Sequence, residues 1–119
     1  MSMRFMSIYS SREKSTPPGP EEFARMGAFV EEMTKAGILI ATGGCLPSAL
    51  GARVRSAGGK LSVTDGPFIE SKEVVGGFAI LECESKAHAI ELCKRFLEVV
   101  GGDGVSEVRQ MAMVAEGTC

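Results

Sequence analysis

This sequence has no tryptophan, a single tyrosine and a single histidine. Its four cysteines, Cys45, Cys83, Cys93 and Cys119, form no C-x-x-C pair. A zinc site calls for closely spaced ligand pairs, so no metal is expected here. The thiols read instead as small apolar side chains in a core, with Cys119 on a frayed tail. Charge is also scarce in the net: the chain carries -2, with a sequence pI near 5.5. That balance offers no general attraction to nucleic-acid phosphates or anionic lipids. No apolar run approaches the ~20 residues that a bilayer demands. The opening "MSMRFMSIYSSREK" is too short and interrupted for a secretory signal, so a cytoplasmic address is expected.

Recognisable catalytic signatures are missing as well. There is no G-x-x-x-x-G-K-[ST] phosphate loop and no G-x-S-x-G elbow. "ATGGCLPSALG" holds Gly43, Gly44 and Ser48, but lacks the lysine and the strand-to-helix setting. Neither Ser48 nor any cysteine has a partner base at a recognisable spacing. His88 falls in the first turn of an expected helix, where a lone imidazole reads as a solvated side chain. RNA-recognition sheets carry aromatics in an octamer of the K-G-F-G-F-V-x-F type. Here "VVGGFAIL" aligns Phe78 with one stacking position but puts Gly76 at the other, so RNA binding is rejected.

What is present is a globular composition: 45% of 119 residues are hydrophobic, which suits one domain spanning 1–119. "MRFMSIYS" reads as a first strand, and the prolines of "SREKSTPPGP" make a loop. A helix should begin near Pro20, with Glu21 and Glu22 suited to its positive end. Phe23, Met26, Val30 and Met33, with Phe29 beside them, predict its buried stripe, and Gly37 its left-handed end. "ILIAT" is a second strand. "ARVRSAGGKLSVT" alternates on either side of Gly58-Gly59 as a hairpin, placing Arg53 and Arg55 on one face. "VVGGFAILE" is a buried strand in which Gly76-Gly77 marks a bulge or a close backbone approach. Ser85 caps a second helix with Ala89, Ile90, Cys93, Phe96 and Leu97 inward. "VSEVRQMAMV" is the last strand, with Glu107, Arg109, Met111 and Met113 on one face.

That order predicts a ferredoxin-like α+β sandwich, with two helices on one face of a largely antiparallel sheet. The other face, including Met111, Met113 and the strand around Phe78, would stay wet in a monomer. A homodimer packed through the open sheet face is therefore expected.

The stretch "TDGPFIESKE", residues 64–73, breaks the pattern. Asp65-Gly66 would ordinarily close a two-residue turn, but Pro67 has no amide hydrogen to complete it. The chain is instead redirected, with Phe68 expected to anchor in an apolar pocket and to hold Asp65, Glu70, Lys72 and Glu73 together. Two readings follow. In the first, Asp65 simply caps nearby amides in a solvated loop. Alternatively Asp65, with Glu70 or Glu73, flanks a cleft in which Arg53, Arg55 or Arg109 grips an anion and a carboxylate moves protons.

"VTDGPFIESKEVVGGFAI" resembles the signature of the DGPF family, within the YCII-related superfamily, whose motif is Asp-Gly-Pro-Phe followed by Glu-x-Lys-Glu. "RMGAFVEEMTKAGILIATGGCLPSALGARVR" and "SEVRQ" extend the resemblance over nearly the whole chain. The motif positions are Asp65, Gly66, Pro67, Phe68, Glu70, Lys72 and Glu73. Ile69, Ser71 and Cys45 depart from the usual residues. The resemblance implies a ferredoxin-like fold and dimeric α+β-barrel association, with no assigned reaction. Some members accompany extracytoplasmic-function sigma factors. YCII-like proteins proper are thought to use a histidine-aspartate pair with an early histidine, and none precedes His88 here. Two functions stand at this point: a dimeric sensor or regulatory module with a small-molecule ligand, its site drawn from Arg53, Arg55, Lys72, Glu73 and Arg109, or a cofactor-independent acid-base enzyme using Asp65 and Glu70.

Overall fold

A computed structural model describes residues 2–14 and 18–112. Six strands and two helices follow in order: β1 (Met3–Ser11), α1 (Pro20–Lys35), β2 (Leu39–Gly44), β3 (Ala52–Ala57), β4 (Lys60–Asp65), β5 (Val74–Cys83), α2 (Lys86–Val100) and β6 (Val105–Gln110). A single 3-10 turn, Ser48–Leu50, precedes β3.

Local chemistry sets the helix ends. Pro20 opens α1 where its missing amide hydrogen costs nothing, and Glu21 and Glu22 face the positive end of the helix. Gly37 adopts φ 76° just beyond Ala36 and lets the chain leave the helix. Ser85 caps α2 as its spacing predicts, its hydroxyl accepting from the His88 amide at 3.1 Å. His88 is otherwise occupied locally, its Nδ1 accepting from the Glu84 amide at 3.4 Å.

Four strands form one antiparallel sheet in the order β2-β5-β1-β6. Each helix crosses between two parallel strands that have a third strand between them, the arrangement of a ferredoxin-like α+β fold. Along β1, alternation sends Met3, Phe5, Ser7 and Tyr9 toward the helices and Arg4, Met6 and Ile8 away. Phe5, Leu81 and Cys83 from the sheet meet Met33, Ala89, Leu92 and Cys93 from the helices, and these make the core. Arg95 joins the helices, donating to both Glu32 oxygens at 3.0 Å and lying 5.2 Å from the Phe29 ring centroid.

Three details differ from the sequence reading. Ile90, expected inward on α2, is 37% exposed, and Leu92 is buried in the core instead. Phe23 is 64% exposed; the helix contributes Met33 and Phe29 to the core from its second half instead. Cys45 is exposed, because it lies past the end of β2, where its amide donates to the Gly76 carbonyl; Cys83 and Cys93 are buried as expected. Met113 and Cys119 lie outside the described residues, and the last strand ends at Gln110.

The glycine pair of β5 serves both anticipated purposes. The register slips between Tyr9 and Ser10, leaving Gly76 as the extra residue of a bulge. A side chain on Gly77 would meet the Gly43 carbonyl at 2.7 Å, so the β2–β5 approach depends on its absence.

β3 and β4 form a separate two-stranded sheet, turned by Gly58 (φ 58°) and Gly59 (φ 78°). Among the described residues no helix is long and apolar enough to cross a membrane.

Candidate functional site

The motif segment begins where β4 ends. The Gly66 amide donates to the Gly51 carbonyl at 2.9 Å, which closes the base of the hairpin, and the Gly66-Pro67 peptide bond is cis. The chain therefore does not turn back at Asp65-Gly66. It runs on through Phe68 to Ser71, whose amide donates to the Phe68 carbonyl at 3.1 Å, and then enters β5 at Val74.

Phe68 is half-buried, and it lies outside the hydrophobic core. Its ring is covered by the Arg53 guanidinium, 3.9 Å from the ring centroid, a cation-π stack in place of the expected apolar pocket. Arg53 also donates to Glu70 Oε1 at 3.2 Å and to Ser71 Oγ at 3.1 Å. One arginine thus ties the hairpin to the motif at three points. Its planar fork permits all three together, which a lysine would not.

On the other side of Phe68 stands Ser48, which is buried. Its hydroxyl accepts from the Phe68 amide at 3.2 Å and donates to Glu13 Oε1 at 2.6 Å. The Ser48 amide donates to Glu13 Oε2, also at 2.6 Å. Glu13 follows β1, so Ser48 connects three separated parts of the chain. The Ser48 hydroxyl and amide hold the Glu13 carboxyl below its ordinary range, the hydroxyl contributing most. A depressed folded-state pKa adds stability above the ordinary value of 4.5 that is lost as pH falls through the depressed one. Glu13→Gln is accordingly expected to lower the melting temperature at neutral pH, and the gap from wild type should close as acid is added. A gap that stays constant from pH 7 to pH 3 would contradict this account.

Arg12, Glu13, Ile69, Glu70, Ser71 and Lys72 line an open depression of about 360 Å³ beside the motif. Glu70 and Lys72 thus lie where the sequence places a site. Asp65 does not line the depression. Strand register explains this: Asp65 opposes Ala52, whereas Arg53 opposes Thr64, so Asp65 and Arg53 project from opposite faces of the hairpin. Arg55 shares the Arg53 face, opposite Ser62 and one step nearer the tip. Glu73 is exposed just before β5. Arg109 stands on the edge strand β6 opposite Met6, and donates to Glu107 at 3.1 Å. The structure joins Arg53 to Phe68 and Glu70, puts Glu70 and Lys72 on the depression, and leaves Asp65, Arg53, Arg55, Glu73 and Arg109 out of its lining.

Sequence reasoning missed Arg12 and Glu13, and considered Ser48 only for a phosphate loop or as a nucleophile. Nothing in the local pattern around residue 13 signals that it would accept two hydrogen bonds from residue 48. Among the described residues, no group of three histidine, cysteine, aspartate or glutamate side chains is arranged to hold a metal ion.

An uncharacterized protein of Rhizobium meliloti (strain 1021) is 29% identical over 92 residues, which is 77% of this chain and 74% of that one. The model of the YCII-related domain matches residues 3–114, nearly the full length, and the chain belongs to that family.

Proposed function

We propose that this protein, of the DGPF branch of its family, is a noncatalytic cytoplasmic module. It works as a single domain over residues 1–119 and as a homodimer packed through the open sheet face. Each copy takes a small anionic molecule in the depression beside the motif. One observation carries this reading: both carboxylates at the depression are already engaged, whereas its two cations are not. Glu13 is held by Ser48, and Glu70 is held by Arg53. Among the described residues neither Arg12 nor Lys72 forms an ion pair. A carboxylate or phosphate between those cations would meet charge-assisted donors on both sides. Glu13, kept ionised, is poorly suited to donate or shuttle protons near neutrality. The dimer is supported by Met6, Ile8, Phe78 and Ile80, which share a sheet face without a helix; Phe78 is 41% exposed there, over Gly43.

Acid-base catalysis with Asp65 and Glu70 is a second reading. Its support is that Glu70 lines an open depression. It requires a turnover that Glu70→Gln abolishes.

The test is a melting-temperature screen of small carboxylates and phosphates against the full chain. A ligand at a hundred times its Kd should add about 2.7 kcal/mol of stability, a shift of roughly 10 °C in a chain of this length. Lys72→Ala and Arg12→Ala should each remove most of that shift. If no anion moves the wild-type melt, or both variants respond as wild type does, the reading is wrong.

A further inference from the structure

The hairpin β3–β4 stands apart from the four-stranded sheet, and its two faces differ in chemistry. Cross-strand pairs place Arg53, Arg55 and Lys60 on one face with Thr64, Ser62 and Ala57. Ala52, Val54, Ser56, Leu61 and Val63 occupy the other, with Asp65 at its base. On this second face Val54 is 72% exposed, Leu61 77% and Val63 65%. Val54 and Val63 are direct partners, so the three side chains form one contiguous patch.

Two-stranded hairpins are marginal in water by themselves. This one is closed at its base by the Gly66 to Gly51 bond and tied to the following segment through Arg53 to Phe68, Glu70 and Ser71. Among the described residues neither strand is paired to the main sheet and nothing covers the apolar face.

The whole-chain surface points to what covers it. At 12.6 kDa a compact monomer exposes about 6,200 Å². This chain exposes 8755 Å². Even when the largest surface that residues 1, 15–17 and 113–119 could expose is set aside, an excess on the order of 1,000 Å² persists on the same scaling. A standard interface takes about 800 Å² from each partner. The surplus of the whole chain is thus of the order that a stable association removes from water.

We infer that the apolar face of the hairpin is a clasp for a second copy of this chain. Apart from Asp65 at the rim, the face is uncharged, so it can meet its own two-fold mate without like charges opposing each other. A partner recognised by charge would instead use the opposite face, where Arg55 and Lys60 lie. The inference rests on the homodimer proposed above and adds a consequence for the site. Arg53 is on the hairpin strand whose other face is clasped, and it stacks on Phe68 and holds Glu70. Docking the hairpin therefore steadies the wall of the depression, and ligand binding and association should favour each other reciprocally.

Sedimentation velocity of the full chain from 1 to 200 μM tests this, with Leu61→Lys/Val63→Lys as the disrupting variant. Both positions are exposed, so the variant should keep the wild-type circular dichroism. Expected is a wild-type dimer whose dissociation constant rises at least a hundredfold in the variant. A second measurement is hydrogen exchange of wild-type amides at 54–63, which should slow as concentration rises. A wild-type dimer that the double substitution leaves equally tight, with hairpin exchange independent of concentration, overturns the clasp and leaves the sheet-face dimer standing. A wild-type monomer at 200 μM overturns both.

Discussion

Gly66→Ala is expected to disrupt the motif more than any substitution of its charged residues. A methyl group at residue 66 would fall onto the Ser48 carbonyl oxygen and lie 2.6 Å from the Ser48 carbonyl carbon. Both are backbone atoms, so no flexible side chain can swing aside. The requirement is for space: the φ of Gly66 is not in the left-handed region. Relief demands that Ser48 move away, yet Ser48 is the residue that binds Glu13 and the Phe68 amide. The collision therefore breaks a buried hydrogen-bond centre as well as overpacking it. Overpacking costs about 1–3 kcal/mol, and lost hydrogen bonds to a buried group add a comparable amount. Urea denaturation should report a loss of about 3 kcal/mol or more, and the Phe68 and Glu70 resonances should shift or broaden. Gly27→Ala, inside α1, is the control, because among the described residues nothing lies within 4 Å of a side chain there. Equal stability of the two variants would refute the close approach of Gly66 to Ser48.

Phe5→Ala should be the other severe change, and it acts through the core. Phe5 is 2% exposed and lies at the centre of the cluster formed with Leu81, Met33 and Leu92. Both neighbouring strands pair with it, Leu81 of β5 on one side and Gln110 of β6 on the other. Truncation leaves a void that backbone paired on both edges cannot collapse to fill. Phe→Ala at such sites costs about 3–5 kcal/mol, a large share of the 5–15 kcal/mol that holds a typical domain together. A melting temperature more than about 10 °C lower is expected. The outcome also separates stability from function: Phe5→Ala should leave ligand affinity unaltered in whatever fraction is folded, whereas Gly66→Ala should weaken it. If Phe5→Ala shifts the melt by only a few degrees, the core has been placed wrongly.

The candidate site was legible in part. The Asp-Gly-Pro-Phe run marked a place where an ordinary turn is impossible, and that is where Arg53 joins Phe68 and Glu70. Its carboxylates were harder to sort. Asp65 and Glu70 are close in sequence, but one residue of strand alternation sends Asp65 to the opposite face from Arg53. The reach of Glu13 to Ser48 spans 35 residues, and no periodicity encodes it.

Helix positions, the Gly58-Gly59 turn, the Ser85 cap and the Gly76-Gly77 bulge were all determined by the sequence itself. Each depends on the intrinsic preferences of a few adjacent residues, and those preferences act wherever the chain goes. Tertiary structure alone decided which acids gather at the depression, that Phe68 stacks beneath an arginine, and that the hairpin keeps an apolar face uncovered. Those outcomes depend on which distant segments share space once the sheet has formed, and contacts between distant segments leave no mark in the local order of residues.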